Sequence, residues 1–275
     1  MSRLAALAGL PHHRFAAAVT ARASSALREV TAPWDVADGA DTAHGKFGVA
    51  ILSRYEILET RVLRYARYGA KTPRNALAVR VRLPGGTELW VVSTHLGMCL
   101  PFVANVAPWR NPGGLRAWVG FGEQAAQARE LVAWARALPA AGSGARLIVL
   151  GDFNALPCVA ASRTMRGAFC DAHRACGNGG RGATFPAGGG CLSGALRCCG
   201  GYRLDYCYYD AGGGALEATR VRVPETIASD HRPLVVDFVV CAGIAGGGDD
   251  GRRQREPATV AGTLRQREPL VLNEI

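Results

Sequence analysis

The chain has 275 residues, 49% of them apolar, enough for one large domain or two small ones with a sizeable core. No run of about 18 apolar residues occurs, which excludes a membrane-spanning helix of the ordinary kind. The formal net charge is +10, and the only lysines are Lys46 and Lys71. From Cys241 onward five arginines balance five acids, so the whole excess lies in residues 1–240. A basic folded region suits phosphate-bearing partners, because clustered arginines attract anions and bind phosphate bidentately; the alternative is a coding bias that writes arginine for lysine. Nine cysteines without a C-x-x-C pair lack zinc-site spacing and read as free thiols. The first ten residues are too weakly patterned for a secretory signal. An intracellular location is the expectation, with no obligate protein partner.

Residues 2–30 read as helical in parts, with Leu4, Leu7 and Leu10 at helical spacing and an alanine-rich stretch after Phe15. Residues 31–46 read as loop. Phe47–Ser53 is an apolar strand, Ile57–Leu63 another, and Ala76–Leu83 alternates apolar with basic residues as a half-exposed strand does. Pro84-Gly85-Gly86 signals a hairpin, and Glu88–Thr94 is the return strand that delivers His95. Residues 97–120 are rich in Pro, Gly and Trp and read as a long loop: a substrate lid, an element touching a membrane surface through Trp109, Trp118 and Phe121, or an inert insertion. Phe121–Leu138 is an amphipathic helix with Ala125, Ala128, Leu131, Val132 and Ala135 on one face.

Leu147–Leu150 then forms an unbroken apolar run, the mark of a strand buried on both faces. It ends in Gly151, followed by Asp152 and Asn154. Residues two apart in extended chain share a side, so one carboxylate and one amide would face a common point. Taken alone, the same residues also fit a turn that caps the next helix. Val159–Phe169 reads as a short helix and Gly177–Gly201 as a flexible loop. Arg203–Tyr209, Ala215–Val223 and Pro233–Val240 read as the last strands. The chain divides into a domain over 1–242 and a tail over 243–275. The tail repeats RQREPATV (253–260) as RQREPLVL (265–272) and reads as disordered.

Polar residues stand at four strand ends or within strands: His95 after VVST, Asp152 and Asn154 after LIVLG, Asp205 in RLDY, and Asp230-His231 in IASDHRPLVV. Each is weak alone. Together, S-T-H-L, G-D-F-N-A-L-P, R-L-D-Y and S-D-H-R-P-L, in this order, resemble the endonuclease/exonuclease/phosphatase superfamily of DNase I-like phosphoesterases. The match runs from about Phe47 to Val240. The resemblance implies an α/β (α+β) fold, a four-layer sandwich of two mainly antiparallel sheets flanked by helices. It implies hydrolysis of a phosphoester bond with Mg²⁺ or Mn²⁺, in a nucleic acid, a phospholipid or sphingolipid headgroup, or an inositol phosphate.

The resemblance also implies roles. Asp152 would orient or deprotonate the attacking water and contact the metal. Asp230 would bind the metal or its water shell. Asn154 and His95 would contact the phosphate. His231 would stabilise the transition state, its ring held by Asp205. These residue types suit the chemistry, which needs an in-line water, a base, and positive charge where oxygen charge develops. Mg²⁺ typically keeps several waters and uses one or two protein carboxylates.

The chain departs from the family at its start. The family pattern opens with a strand ending in Asn and a second ending in Gln-Glu, whose Glu is the principal metal ligand. Neither is found, and LAALAGLPHHRFAAAV resembles the segment just after them. Glu29 and Glu56 are the nearest substitutes. The expectation is an N-terminally incomplete fold, and the alternative to an enzyme is a catalytically impaired phosphate-binding or adaptor module.

Overall fold

A computed structural model of the chain describes residues 2–20, 46–66, 73–97, 120–139, 146–177, 180–187, 201–212 and 216–240. Its elements, in chain order, are α1 (Ser2–Leu7), β1 (His12–Thr20), β2 (Lys46–Ser53), β3 (Ile57–Arg64), β4 (Asn75–Arg82), β5 (Glu88–His95), α2 (Gly120–Arg136), β6 (Arg146–Asp152), α3 (Ala160–Ala168), β7 (Cys170–Asp171), α4 (Ala172–Ala175), β8 (Asp205–Tyr209), β9 (Leu216–Arg222) and β10 (Val235–Val240). The central sheet has six strands in the order β3-β4-β5-β6-β8-β7. Only β5 and β6 run parallel; every other neighbouring pair in it is antiparallel. A parallel pair needs a long crossover, and α2 lies within it.

The apolar runs of the middle strands follow from burial on both faces. Ala76 and Ala78 of β4, Leu147 and Val149 of β6, and Tyr206 and Tyr208 of β8 join one core with Ala128, Leu131 and Ala135 of α2 and Met165 of α3. Their neighbours Leu77, Val79, Ile148, Leu150, Cys207 and Tyr209 face the other way. There they meet Ala16, Val49 and Ile51 of a β1–β2 ribbon, and Leu216, Ala218 and Val236 of a β9–β10 ribbon. Alternation along the strand thus feeds two cores at once. The layers among the described residues are helices, a six-stranded sheet, and two antiparallel ribbons, in keeping with the expected α/β sandwich.

Two expectations need correcting. The alanine-rich stretch after Phe15 is strand, not helix. Ala16, Ala17 and Ala18 are buried, and β1 pairs with β2 along its length. The pairing is tight: a Cβ on Gly48 would lie 2.0 Å from the Ala16 carbonyl oxygen. The buried Asn75 amide donates to the same oxygen at 3.0 Å. Tertiary contacts override the helical preference of alanine here. The second correction concerns the glycine-rich region 177–201. Its residues 180–187 are built into the fold, since Phe185 and Tyr202 form an antiparallel bridge. The expectations for 31–45, for 98–119 with Trp109 and Trp118, for the Phe121 side chain, for Glu29 and for the tail fall outside the described residues. Among the described residues, no helix is long and apolar enough to cross a membrane.

Candidate active site

The register of the central sheet lines up three of the predicted residues. His95 of β5 stands opposite Asp152 of β6, and Asp152 stands opposite Asp205 of β8. The fourth comes from the turn before β10: His231 Nδ1 lies 2.8 Å from Asp205 Oδ2. A continuous polar row therefore runs His95, Asp152, Asp205, His231 across the ends of three strands. His95 Nε2 is 3.4 Å from Asp152 Oδ2.

Gly151 permits this alignment. Its φ is +139°, and a Cβ there would lie 1.9 Å from the Thr94 carbonyl oxygen, so β6 passes too close to β5 for any side chain. Past Asp152 the ladder continues, because Leu96 N donates to the Asp152 carbonyl at 2.9 Å and Phe153 N to the Leu204 carbonyl at 3.0 Å. The chain then turns at Asn154, with φ +47°, the one positive-φ residue other than glycine among those described. Asparagine is among the side chains that tolerate this conformation. Asn154 N donates to Asp152 Oδ1 at 2.7 Å, and Asn154 Nδ2 donates to the Leu96 carbonyl at 3.1 Å. One N–H of its amide stays available to an anion.

Asp205 is fixed from behind. The buried Thr184 hydroxyl oxygen accepts from Leu204 N and Asp205 N, each at 3.1 Å. The Thr184 carbonyl accepts from Arg232 N at 2.7 Å, so one residue anchors both the Asp205 strand and the His231 turn. The Phe185 ring lies against His231, centroids 4.9 Å apart. On the far side, Phe47 lies 5.5 Å from His95 and carries the Arg74 guanidinium over its own ring at 5.1 Å.

The neighbours set the charges. Burial pushes the Asp152 carboxyl up to about 7, and the adjacent Asp205 charge acts in the same direction against His231, the Asn154 N–H and Arg74. Burial opposes a charge on His231, but the Asp205 hydrogen bond and the Asp205, Asp152 and Asp230 charges outweigh it and raise His231 to about 9. Burial drives His95 down to about 3, helped by the Arg74 and His231 charges. The carboxylate 3.4 Å away does not reverse this, so the His95–Asp152 contact is that of a neutral imidazole rather than an ion pair.

Asp152, Asp205 and His231 each offer a ligand atom, all within 4.8 Å of one another. The two carboxylates fit a hard divalent ion such as Mg²⁺ or Mn²⁺, which takes oxygen donors. His231 does not add a third donor while Asp205 holds it protonated. Asp230 stands apart from this cluster. Its side chain is exposed and lies 3.4 Å from the Ser229 hydroxyl, while its carbonyl accepts from Ala187 N. Glu56 lies at the opposite end of the sheet, facing Arg82 at 3.8 Å, with its side chain 63% exposed.

Two residues of this region carry no motif that marks them, and a third does. Thr184 lies in a glycine-rich stretch without periodicity, and Arg74 among loop residues. Gln124 had a readable signal: with Gln127 it interrupts the apolar face of α2 beside Ala125, Ala128 and Leu131, and both amides are buried. Gln124 Nε2 donates to the backbone carbonyls of Gly97 and Asn154, and Gln127 Oε1 accepts from Gly97 N at 2.8 Å.

A family model described as the Endonuclease/Exonuclease/phosphatase family matches residues 3–231. Among solved structures, the human Nocturnin catalytic domain with bound sulfate is 20% identical, at TM-score 0.56 over 88% of this chain and 76% of that one. An endonuclease/exonuclease/phosphatase from Bacteroides vulgatus is 16% identical, at TM-score 0.52 over 70% and 69%. A mannosyl-6-phosphatase from Bacteroides thetaiotaomicron is 16% identical, at TM-score 0.51 over 74% and 73%. These likenesses establish the fold. No curated protein sequence matches the chain.

Proposed function

The chain belongs to the endonuclease/exonuclease/phosphatase family, and on that premise we propose that it is a divalent-metal-dependent hydrolase of phosphoester bonds. The observation that carries this reading is the polar row His95–Asp152–Asp205–His231, with one histidine held neutral and the other cationic. Asp152, opposite both His95 and Asp205 at the strand ends, is placed to orient or deprotonate an attacking water. Asp205 fixes Nδ1 of His231, which leaves Nε2 as the atom that donates a hydrogen bond or a proton to the phosphoryl or leaving oxygen. The neutral His95 and the remaining N–H of Asn154 donate to non-bridging oxygens without adding charge. Asp152 and Asp205 would hold Mg²⁺ or Mn²⁺, with the Asp230 carboxylate reaching its water shell. When bound, the ion supplies the positive charge that stabilises the transition state. Arg74 and the +10 balance of the chain favour an anionic substrate. The substrate is a nucleic acid or a phosphorylated headgroup or sugar; the Bacteroides thetaiotaomicron neighbour is a mannosyl-6-phosphatase.

The test is turnover of bis(4-nitrophenyl) phosphate with Mg²⁺ or Mn²⁺, compared with Asp152→Asn and His231→Ala. Turnover by the wild type that both variants lose is the expected result. Equal rates for all three and for buffer would sink the reading. One observation favours a second: among the described residues, no glutamate joins the Asp152–Asp205 pair. On that reading the basin holds a phosphate without cleaving it. Micromolar binding of a substrate analogue with no turnover would then be the outcome.

A further inference from the structure

We infer that Gln124 is a positioning residue: its side-chain amide bridges the loop after β5 to the loop after β6, and so sets the placement of Asn154 relative to His95. The inference rests on the proposed phosphoesterase reading for its kinetic part and on the fold alone for its structural part.

The amide of Gln124 has two N–H groups, and both are taken. Nε2 donates to the Gly97 carbonyl at 2.8 Å and to the Asn154 carbonyl. Gly97 is two residues past His95, and Asn154 two past Asp152. One side chain on α2 thus ties together the two segments that carry the phosphate-contacting groups. Its own oxygen, Oε1, is buried without a hydrogen-bond partner. A free choice of amide orientation would not leave it so. Turned over, however, the amide would set its oxygen against two carbonyl oxygens. The unpaired Oε1 is the consequence of satisfying both loops.

The rest of the contact surface supports the bridge. Gln127, one turn later, accepts from Gly97 N at 2.8 Å and donates to Glu123 Oε1 at 3.0 Å. Both backbone polar groups of Gly97 are therefore held by α2, as a neighbouring strand would hold them. A Cβ on Gly97 would come 2.7 Å from Glu123 Oε1, so a larger residue there would have to push that side chain aside. On the other side, the Asn154 backbone is at φ +47°, a conformation that needs support from outside the residue. Its three polar contacts are Asp152 Oδ1, the Leu96 carbonyl and Gln124. Only Gln124 comes from a different layer of the fold. Leu96 and Asp152 belong to the same two strand ends and would move with them.

Gln124→Met keeps the size of the side chain and removes both donors. It is expected to lower kcat on bis(4-nitrophenyl) phosphate about tenfold to a hundredfold, with KM within about twofold, since a small displacement of positioned groups acts on the transition state. If Gln124 acts through Asn154, the same change in an Asn154→Ala background alters kcat by less than about twofold, the signature of coupled sites. Independent, multiplicative losses would overturn the inference, as would a rise in KM with kcat unchanged. Amide hydrogen exchange provides the readout that does not depend on turnover. In Gln124→Met the Asn154 amide is expected to exchange at least about tenfold faster while that of Val149, in the middle of β6, stays protected. Unchanged exchange at Asn154 overturns the inference even in an active enzyme. A wild type without turnover counts against the proposed function instead, and the exchange result then decides this inference alone. Gln124→Glu, which keeps the shape and replaces one donor group with an acceptor, serves as the second variant should the methionine variant fail to fold.

Discussion

The two histidines of the site occupy the same basin, both are substantially covered, and they sit at opposite charge states. His95, at the end of β5, is held down to about 3; His231, in the turn before β10, is raised to about 9. Burial works against the charge on both. The difference lies in company: the Arg74 and His231 charges disfavour a proton on His95, and Asp152 3.4 Å away does not offset them, whereas the Asp205 hydrogen bond and the Asp205, Asp152 and Asp230 charges favour one on His231. Proton placement within one basin is thus set by the charges that each ring meets. A neutral donor on one side and a cation on the other is an asymmetry that suits an in-line reaction, where the charge develops unequally on the attacking and leaving sides.

The largest effect that would break this comparison is removal of the group shared by both halves. Asp152→Asn is expected to lower turnover by about 10⁴-fold, the upper end of what a positioned proton acceptor contributes; steady-state rates with Mg²⁺ measure it. His231→Gln should follow at about 10²- to 10³-fold, because a neutral amide cannot supply the cationic donor. Asp205→Asn leaves the ring in place but removes what fixes and charges it. A loss of about 10- to 100-fold is expected, and NMR titration of His231 should show its pKa falling from about 9 toward the ordinary histidine value. His95→Gln tests the other half. With His95 already neutral, a neutral donor replaces a neutral donor, and about fivefold should be lost, the worth of about 1 kcal/mol in one hydrogen bond. Equal damage from the two His→Gln changes would refute the asymmetry.

A smaller effect appears in stability. His231 has a folded-state pKa above its unfolded value of roughly 6.5, so its contribution is fully present below that pH and is lost as pH rises through about 9. Thermal melts of the metal-free protein should therefore fall between pH 7 and 9.5. In His231→Gln the part of that fall above pH 8 should flatten.

The strands that carry the row are legible in the sequence because they are apolar on both faces: LIVL and ELWVV admit few other readings. Their polar ends stand out for the same reason, since nothing in packing asks for a carboxylate after LIVLG. What pairs with what is not legible. That His95 faces Asp152 and Asp152 faces Asp205 is a property of register between segments more than 50 residues apart in sequence. The alanines after Phe15 mislead because their helical preference is local and their pairing with β2 is not. Thr184 is invisible to pattern reading because it acts from an irregular segment, through its hydroxyl on the amides of Leu204 and Asp205 at the start of β8. Gln124 and Gln127 are a middle case, polar residues at an i, i+3 spacing on an otherwise apolar helix face.

Gly151 has one more consequence. A strand apolar on both faces does not care, as far as water is concerned, which of its residues faces which neighbour, so oiliness alone leaves β6 free to slide. Contact with the Thr94 carbonyl removes that freedom, since only the residue without a side chain can occupy the spot. Gly151 acts as the notch of a vernier scale. In this backbone conformation neither a leucine nor the aspartate could take the place of the glycine, and the carboxylate is delivered opposite His95 and Asp205. Insertion scanning should find β6 intolerant of even one added residue before the glycine, while the turn at 84–86 accepts several.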